Sequence, residues 1–247
     1  MRKFVLESPV FNLQSALDAA KFGVNRLELC ANFPEGGDTP SGGMLSYLKS
    51  TIEIPVFVMI RPRGGDFCYS PEEVSVMKKD IELLGDLGAD GFVFGVLDES
   101  GQVNQEANSV LIKAANGKPC TFHRAFDVCA APLKALEEII ALGFDRILTS
   151  GAKNTVTDGM ELIEQLIKTA GDRIIIMPGG GSRPDHVERL KPLSDFREIH
   201  ASCKTKAVSG NQFINPDVQF SDDPEFFTHH LAIDDHVVKQ FLKAFAE

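Results

Sequence analysis

The chain contains no tryptophan and only two tyrosines among its 247 residues. It also lacks any run approaching the roughly 18 apolar residues that a membrane-spanning helix needs. Positive charge is scarce: 25 Lys and Arg stand against 35 Asp and Glu, for a net charge of −10 and a pI near 5.1. That deficit argues against a nucleic-acid partner, which requires a basic surface. It argues equally against attraction to an anionic membrane. The five cysteines are odd in number and show no tight pairing pattern, which fits a reducing cytosol. Cys-x-x-Cys, His-x-x-x-His and Met-x-x-Met are all absent, so no compact metal-ligand signature is present. No nucleotide cofactor is evident. A chain that enters a strand by residue 3 is expected to leave no room for a signal peptide, and a cytoplasmic location is the corresponding expectation.

What the chain does contain is a rhythm. Short apolar, β-branched runs recur about every 25–35 residues, and most end in polar or glycine-rich residues. They cover residues 3–7 (KFVLE), 25–30 (NRLELC), 55–63 (PVFVMIRPR), 91–96 (GFVFGV), 120–127 (CTFHRAFD), 146–151 (RILTSG), 173–181 (RIIIMPGGG) and 198–202 (EIHAS). Helix signals lie between them at 12–22, 71–87, 104–115, 132–142, 158–170 and 183–190, and most stop at a glycine. Ser70 and Ser182 are the expected N-caps of the second and last of these. Eight strands alternating with helices predict an α/β fold of the (β/α)8 TIM-barrel type, typically about 250 residues long. No linker or second-domain boundary appears, so one domain over 1–247 is expected, with the barrel over about 3–203 and a C-terminal extension over about 204–247. The loop at 31–43 (ANFPEGGDTPSGG) is long and rich in Gly and Pro. Residues 203–234 show no clear period, and a helix over 235–246 closes the chain. The extension reads either as a cover or oligomer contact or as a tail wrapped on the outside.

In such a barrel the C-terminal ends of the strands carry the site. Side chains alternate along a strand, so Arg26, Glu28 and Cys30 share one face. So do Phe57, Met59, Arg61 and Arg63, and so do Glu198, His200 and Ser202. This parity gathers Glu7, Glu28, Arg61, His123 and His200 in one cavity. Charged groups on apolar strands are costly to bury unpaired, which makes their convergence a mark of function. Arg61 and Arg63 are two residues apart, and two guanidinium groups suit a carboxylate or a phosphate. Gly179, Gly180 and Gly181 follow the seventh strand, where barrels often place phosphate-binding turns. His123 and His200 at strand ends are candidate acid–base groups, with Glu28 as a partner. Cys30 and Cys203 also fall at strand ends, and thiolates with imidazole suit Cu(I).

Several of these segments together resemble the CutC family, known as copper homeostasis proteins. They are ELC at 28–30, EGG-x-TPS at 35–41, RPRGGDF-x-YS at 61–70, TFHRAFD at 121–127, LTSG at 148–151 and the glycines after strand seven. The resemblance covers roughly residues 3–203. It implies a cytosolic, often self-associating β/α barrel with a role in copper handling. It also implies Cu(I) binding by cysteine, with Cys30 at the family's ELC position; Cys203, a weaker metal candidate from its strand-end position, stands where the family has a small residue. Asp38 departs from the family pattern, which has an apolar residue there. Two functional readings follow. One is a copper-homeostasis protein whose Cys30 thiolate holds Cu(I). The other is a barrel enzyme of isomerase, epimerase or lyase type acting on a small sugar-like or phosphorylated anionic metabolite. In the second, Arg61, Arg63, Gly179, Gly180 and Gly181 would hold the substrate, and Glu28, His123 and His200 would move protons. No lysine ends a strand, which disfavours Schiff-base chemistry. A copper ion or a small anionic metabolite is therefore the expected partner, in a homo-oligomer.

Overall fold

The computed structural model describes residues 4–246. Eight parallel strands build the sheet: β1 Val5–Val10, β2 Arg26–Leu29, β3 Val56–Met59, β4 Gly91–Phe94, β5 Cys120–Phe122, β6 Arg146–Thr149, β7 Ile175–Pro178 and β8 Glu198–His200. Their order is β7-β6-β5-β4-β3-β2-β1-β8. The two end strands, β7 and β8, lie side by side, so the sheet curls into a TIM-type barrel. Gly179 makes that approach possible. A Cβ there would sit 2.3 Å from Leu148 Cδ1, so that the leucine would have to move, and 3.0 Å from His200 Cβ, a tight contact.

The helices follow the caps in the sequence. Helix α1 (Leu13–Phe22) is capped by the Asn12 side chain and stops at Gly23 in the left-handed conformation. After α2 (Gly42–Lys49), α3 (Pro71–Asp86) opens with a capping box in which Ser70 and Glu73 exchange side-chain and backbone hydrogen bonds. The remaining barrel helices are α4 (Gln105–Ala114), α5 (Pro132–Leu142), α6 (Val156–Ala170) and α7 (Pro184–Leu190). Helix α2 had no signal strong enough to separate it from the Gly-rich loop before it. Helix α7 begins one residue later than the sequence predicts, with Arg183 rather than Ser182 at the cap. The expected start of strand one at Lys3 lies outside the described residues.

The apolar residues divide into two clusters. One packs outward-facing strand residues such as Leu27, Leu29, Val58, Phe92 and Phe94 against the helices. The other fills the barrel itself with Cys30, Phe57, Met59 and Val93, flanked by Phe11. This division follows from the alternation of side chains along each strand. Beyond β8 the chain forms an antiparallel hairpin, β9 (Lys204–Val208) with β10 (His229–Ile233), and ends in α8 (Asp235–Ala246). The hairpin is tied to the barrel because Asn12 Nδ2 and Ser15 Oγ both donate to the Leu231 carbonyl. Its tip exposes Phe213 and Phe220. No helix among the described residues is long and apolar enough to cross a membrane.

Candidate active site at the barrel mouth

Strand register sets the first layer of charges. Glu7 on β1 lies opposite Arg26 on β2 and opposite His200 on β8. Arg26 Nε donates to Glu7 Oε2 at 2.5 Å, and its Nη2 bonds Glu198 Oε2. Arg146 Nε reaches the same Glu198 oxygen at 3.2 Å. Both guanidinium groups lie near the ring of Phe57, at 4.8 Å and 5.0 Å from its centroid. Two arginines thus neutralise two glutamates in the lower barrel. Burial alone would raise the Glu7 carboxyl, but Arg26 and His200 outweigh it and hold it at about 2.

Above this layer the pairing runs out. His200 Nδ1 donates to Glu7 Oε1 at 2.9 Å, and its Nε2 faces Glu28 Oε2 at 3.9 Å. Burial would lower the imidazole, but Glu28 and Glu7 on either side raise it. Glu28 is fully buried, and that burial pushes its carboxyl up to about 7, with the negative charge of Glu7 adding to the effect and His200 opposing it. Its Oε1 has no hydrogen-bond partner among the described residues, and neither has His123 Nε2 or Arg61 Nε. Buried polar atoms are normally paired. Glu28, His123, Arg61 and His200 all line one cavity of about 280 Å³, closed on its apolar sides by Phe11, Phe33, Met59, Phe67 and Leu148.

His123 stands differently from His200. Its Nδ1 accepts the Ala125 N–H at 3.3 Å, which leaves Nε2 as the protonated nitrogen of a neutral ring. Burial, with the Arg61 charge adding to it, lowers its pKa to about 3. His123, which lines the cavity, is therefore a neutral ring with an unpartnered N–H rather than a titrating base.

The arginines separate. Arg61 Nη1 donates to the carbonyls of Glu35 and Gly37, its Nη2 donates to the Gly65 carbonyl, and Asp38 Oδ1 lies 3.6 Å away. It pins the loop after β2, and its Nε alone is left without a partner among the described residues. Asp38, the departure from the family pattern, is one of the groups holding it. Arg63 lies outside the cavity: past the end of β3 the alternation no longer applies, and the side chain pairs with Glu73 at 2.6 Å and Asp66 at 3.1 Å. Gly180 and Gly181 line the cavity, whereas Gly179 lies behind it, its N–H donating to the Thr149 carbonyl. The cavity also contains Arg124, the first residue after His123. In the sequence it is only a charge beside a histidine; the turn of 3-10 helix over Arg124–Val128 aims it at Gly180. Asp127 steadies that turn, accepting from Arg124 Nε, Thr149 Oγ1, Ser150 and Ala152 N–H.

The cysteines do not converge. Cys30 is fully buried in the inner cluster, its Sγ 3.5 Å from Glu28 Oε2, and burial together with that carboxylate pushes its thiol well up. Cys203 belongs to the outer cluster, where burial pushes it up to about 12. Met59 shares the inner cluster with Cys30, and Cys30 Sγ and the Met59 methyl Cε lie 3.3 Å and 3.6 Å from where a Cβ on Gly37 would sit. Ligand atoms of Glu7, Glu28 and His200 do fall within 4.8 Å of one another. Glu7, however, is bound to Arg26 and to Nδ1, the ring nitrogen opposite the one facing Glu28, so the three form a chain rather than a cage.

Comparison with known proteins completes the description. The CutC family profile matches residues 4–205. Curated relatives include a copper homeostasis protein cutC homolog from Mus musculus, 43% identical over 99% of this chain and 90% of that protein. A protein of the same name from Homo sapiens is 42% identical over 99% and 89%. Among solved structures, a copper homeostasis protein CutC from Streptococcus agalactiae superposes with a TM-score of 0.74 at 34% identity, over 81% of this chain and 98% of that one. An aldolase superposes with a TM-score of 0.59 at 16% identity, over 81% and 91%, which is a likeness of fold alone.

Proposed function

The chain belongs to the CutC family, and from that premise we propose that its barrel mouth is an enzyme active site that moves a proton on a small oxygenated metabolite, next to a carbonyl. The observation that carries this reading is Glu28, a buried carboxyl at about 7 that lines the cavity and has an oxygen without a partner among the described residues. A general base works best when its pKa lies near the operating pH. Glu28 takes the proton from carbon. His123 Nε2–H and Arg61 Nε–H, both unpaired and buried, hydrogen-bond the oxygen on which charge develops. Fixed donors of this kind in a dry site are the strongest single source of rate enhancement. His200, held by Glu7, passes a proton to or from Glu28. Returning the proton to a different position or face gives isomerisation or epimerisation.

The test follows carbon-bound hydrogen by NMR in D2O, with short hydroxyaldehydes, ketoses and 2-oxo acids, free and phosphorylated. Exchange with at least one class is expected, slowed at least about 100-fold in Glu28→Gln. Exchange with none of them, or equal exchange in the variant, overturns the reading.

The relatives' name carries a second reading, supported by a separate observation. Cys30 and Met59 belong to the same inner cluster of the barrel, and soft sulfur ligands select Cu(I). In this reading the chain holds Cu(I) as cargo within the barrel. Anaerobic Cu(I) titration against a competing chelator is expected to give one tight site, lost in Cys30→Ser and weakened in Met59→Leu. Binding indifferent to both substitutions removes the copper reading.

A further inference from the structure

The cavity wall opposite the Arg61 loop carries a group of donors that the proton-transfer chemistry does not use. Arg124 donates through Nε to Asp127 at 2.7 Å and through Nη2 to Ser150 Oγ at 2.8 Å. Its Nη1 has no partner among the described residues. Beside it runs the turn after β7. Gly180 and Gly181 both have positive φ, 107° and 75°, and both line the cavity. Neither N–H donates to an acceptor among the described residues, whereas the Gly179 N–H does. Gly180 has to be glycine. A Cβ there would lie 3.1 Å from Ser150 Cβ and 3.2 Å from Arg124 Cζ, on a backbone that side chains rarely adopt.

Helix α7 adds nothing to this wall: it is only seven residues long, and the Arg183 N–H at its start is taken by His186 Nδ1. The donors are therefore one guanidinium and two consecutive backbone amides. Successive N–H groups in such a turn make a concave anion site. A planar carboxylate is satisfied by the fork of a guanidinium alone. Donors from a glycine turn and from an arginine on a separate loop suit the several oxygens of a tetrahedral anion better. The subsite adjoins the reacting groups, because a Cβ on Gly179 would lie 3.2 Å from His200 Cδ2.

We propose that Arg124, with the Gly180 and Gly181 N–H groups, forms a subsite for the terminal phosphate of a short phosphorylated metabolite. This deepens the proton-transfer reading and rests on it for the rest of the substrate. Arg124 takes over the anion-recognising role that sequence spacing gave to Arg61 and Arg63.

Inorganic phosphate is the probe, titrated into the 15N-labelled full chain. The Gly180 and Gly181 amides and the Arg124 Nε–H are expected to shift first and to saturate together. Arg124→Gln is expected to weaken phosphate at least 10-fold, whereas Arg63→Gln leaves it unchanged. Acetate is expected to bind at least 10-fold more weakly than phosphate. Scattered, unsaturable shifts on surface lysines, meaning an adventitious ion only, overturn the proposal. So does unchanged affinity in Arg124→Gln, and so does acetate binding as tightly as phosphate. Should Arg124→Gln not fold, the wild-type amide shifts decide by themselves. Saturable phosphate binding without any metabolite exchange would defeat the proton-transfer reading alone. Exchange that depends on Glu28 without phosphate binding would defeat this subsite alone.

Discussion

The lower and upper halves of the barrel interior are built from the same residue types and behave as opposites. Below, Arg26, Arg146, Glu7 and Glu198 neutralise one another over the face of Phe57. Above, Glu28, His123 and Arg61 are equally buried, yet each keeps a polar atom without a partner. Buried charge is not by itself a sign of chemistry, since a closed ion network merely fills space. The informative difference is incomplete pairing beside a cavity. Glu7 joins the two halves: one oxygen belongs to the Arg26 network and the other steadies His200.

The largest effect comes from breaking the lower half. Arg26→Met strips the partner from Glu7 and Glu198 together and is expected to destabilise the fold by about 3–5 kcal/mol, read by urea denaturation. An unchanged midpoint would show that the network does not act as a unit. Glu7→Gln strikes the joint. A carboxyl held at about 2 instead of 4.5 stabilises the folded state above pH 4.5, and that contribution fades as the pH falls toward 2. The variant is expected to lose roughly 3 kcal/mol at pH 7, with the gap closing in acid. Its His200 ring should also titrate lower, visible by NMR.

Glu28→Gln sharpens the comparison because its sign is reversed. Below pH 4.5 the carboxyl is protonated in both states and nothing is lost. Between 4.5 and 7 the unfolded chain ionises first, so stability falls as the pH rises, and above 7 the loss is complete. The variant is therefore expected to be more stable than the natural chain by about 3 kcal/mol at pH 8 and equal to it at pH 4, while losing proton exchange. A residue that lowers stability and supports activity is what a functional site requires. The smallest effect is expected from Arg63→Ala. This half-exposed arginine pairs outside the cavity, so less than about 1 kcal/mol and no change in exchange should follow, checked by the same two assays.

Much of this was legible in the sequence. The recurring apolar runs, the capping serine at Ser70 and the glycine stops gave the barrel, and strand parity placed Glu28 and His200 inside it; Arg61, already past the end of β3, lines the same cavity because the loop carbonyls of Glu35, Gly37 and Gly65 hold it there. Parity failed where the strand ended. Arg63 lies past β3 and turns to Glu73, while Arg124 lies past β5 and turns into the cavity. Alternation carries no information about a loop. Pairing was also invisible, because whether a buried arginine has donors to spare depends on loop carbonyls such as those of Glu35 and Gly65. The hairpin of β9 and β10 was missed because its exposed strands carry no core-facing period.

The most direct test of the central claim is a 13C NMR titration of the glutamate carboxyls, assigned by Glu28→Gln and Glu7→Gln. The Glu28 resonance is expected to titrate with a midpoint near 7 while Glu7 stays ionised down to about pH 2. A Glu28 midpoint near 4.5, the ordinary value for a glutamate, would contradict it and leave the barrel mouth without its base.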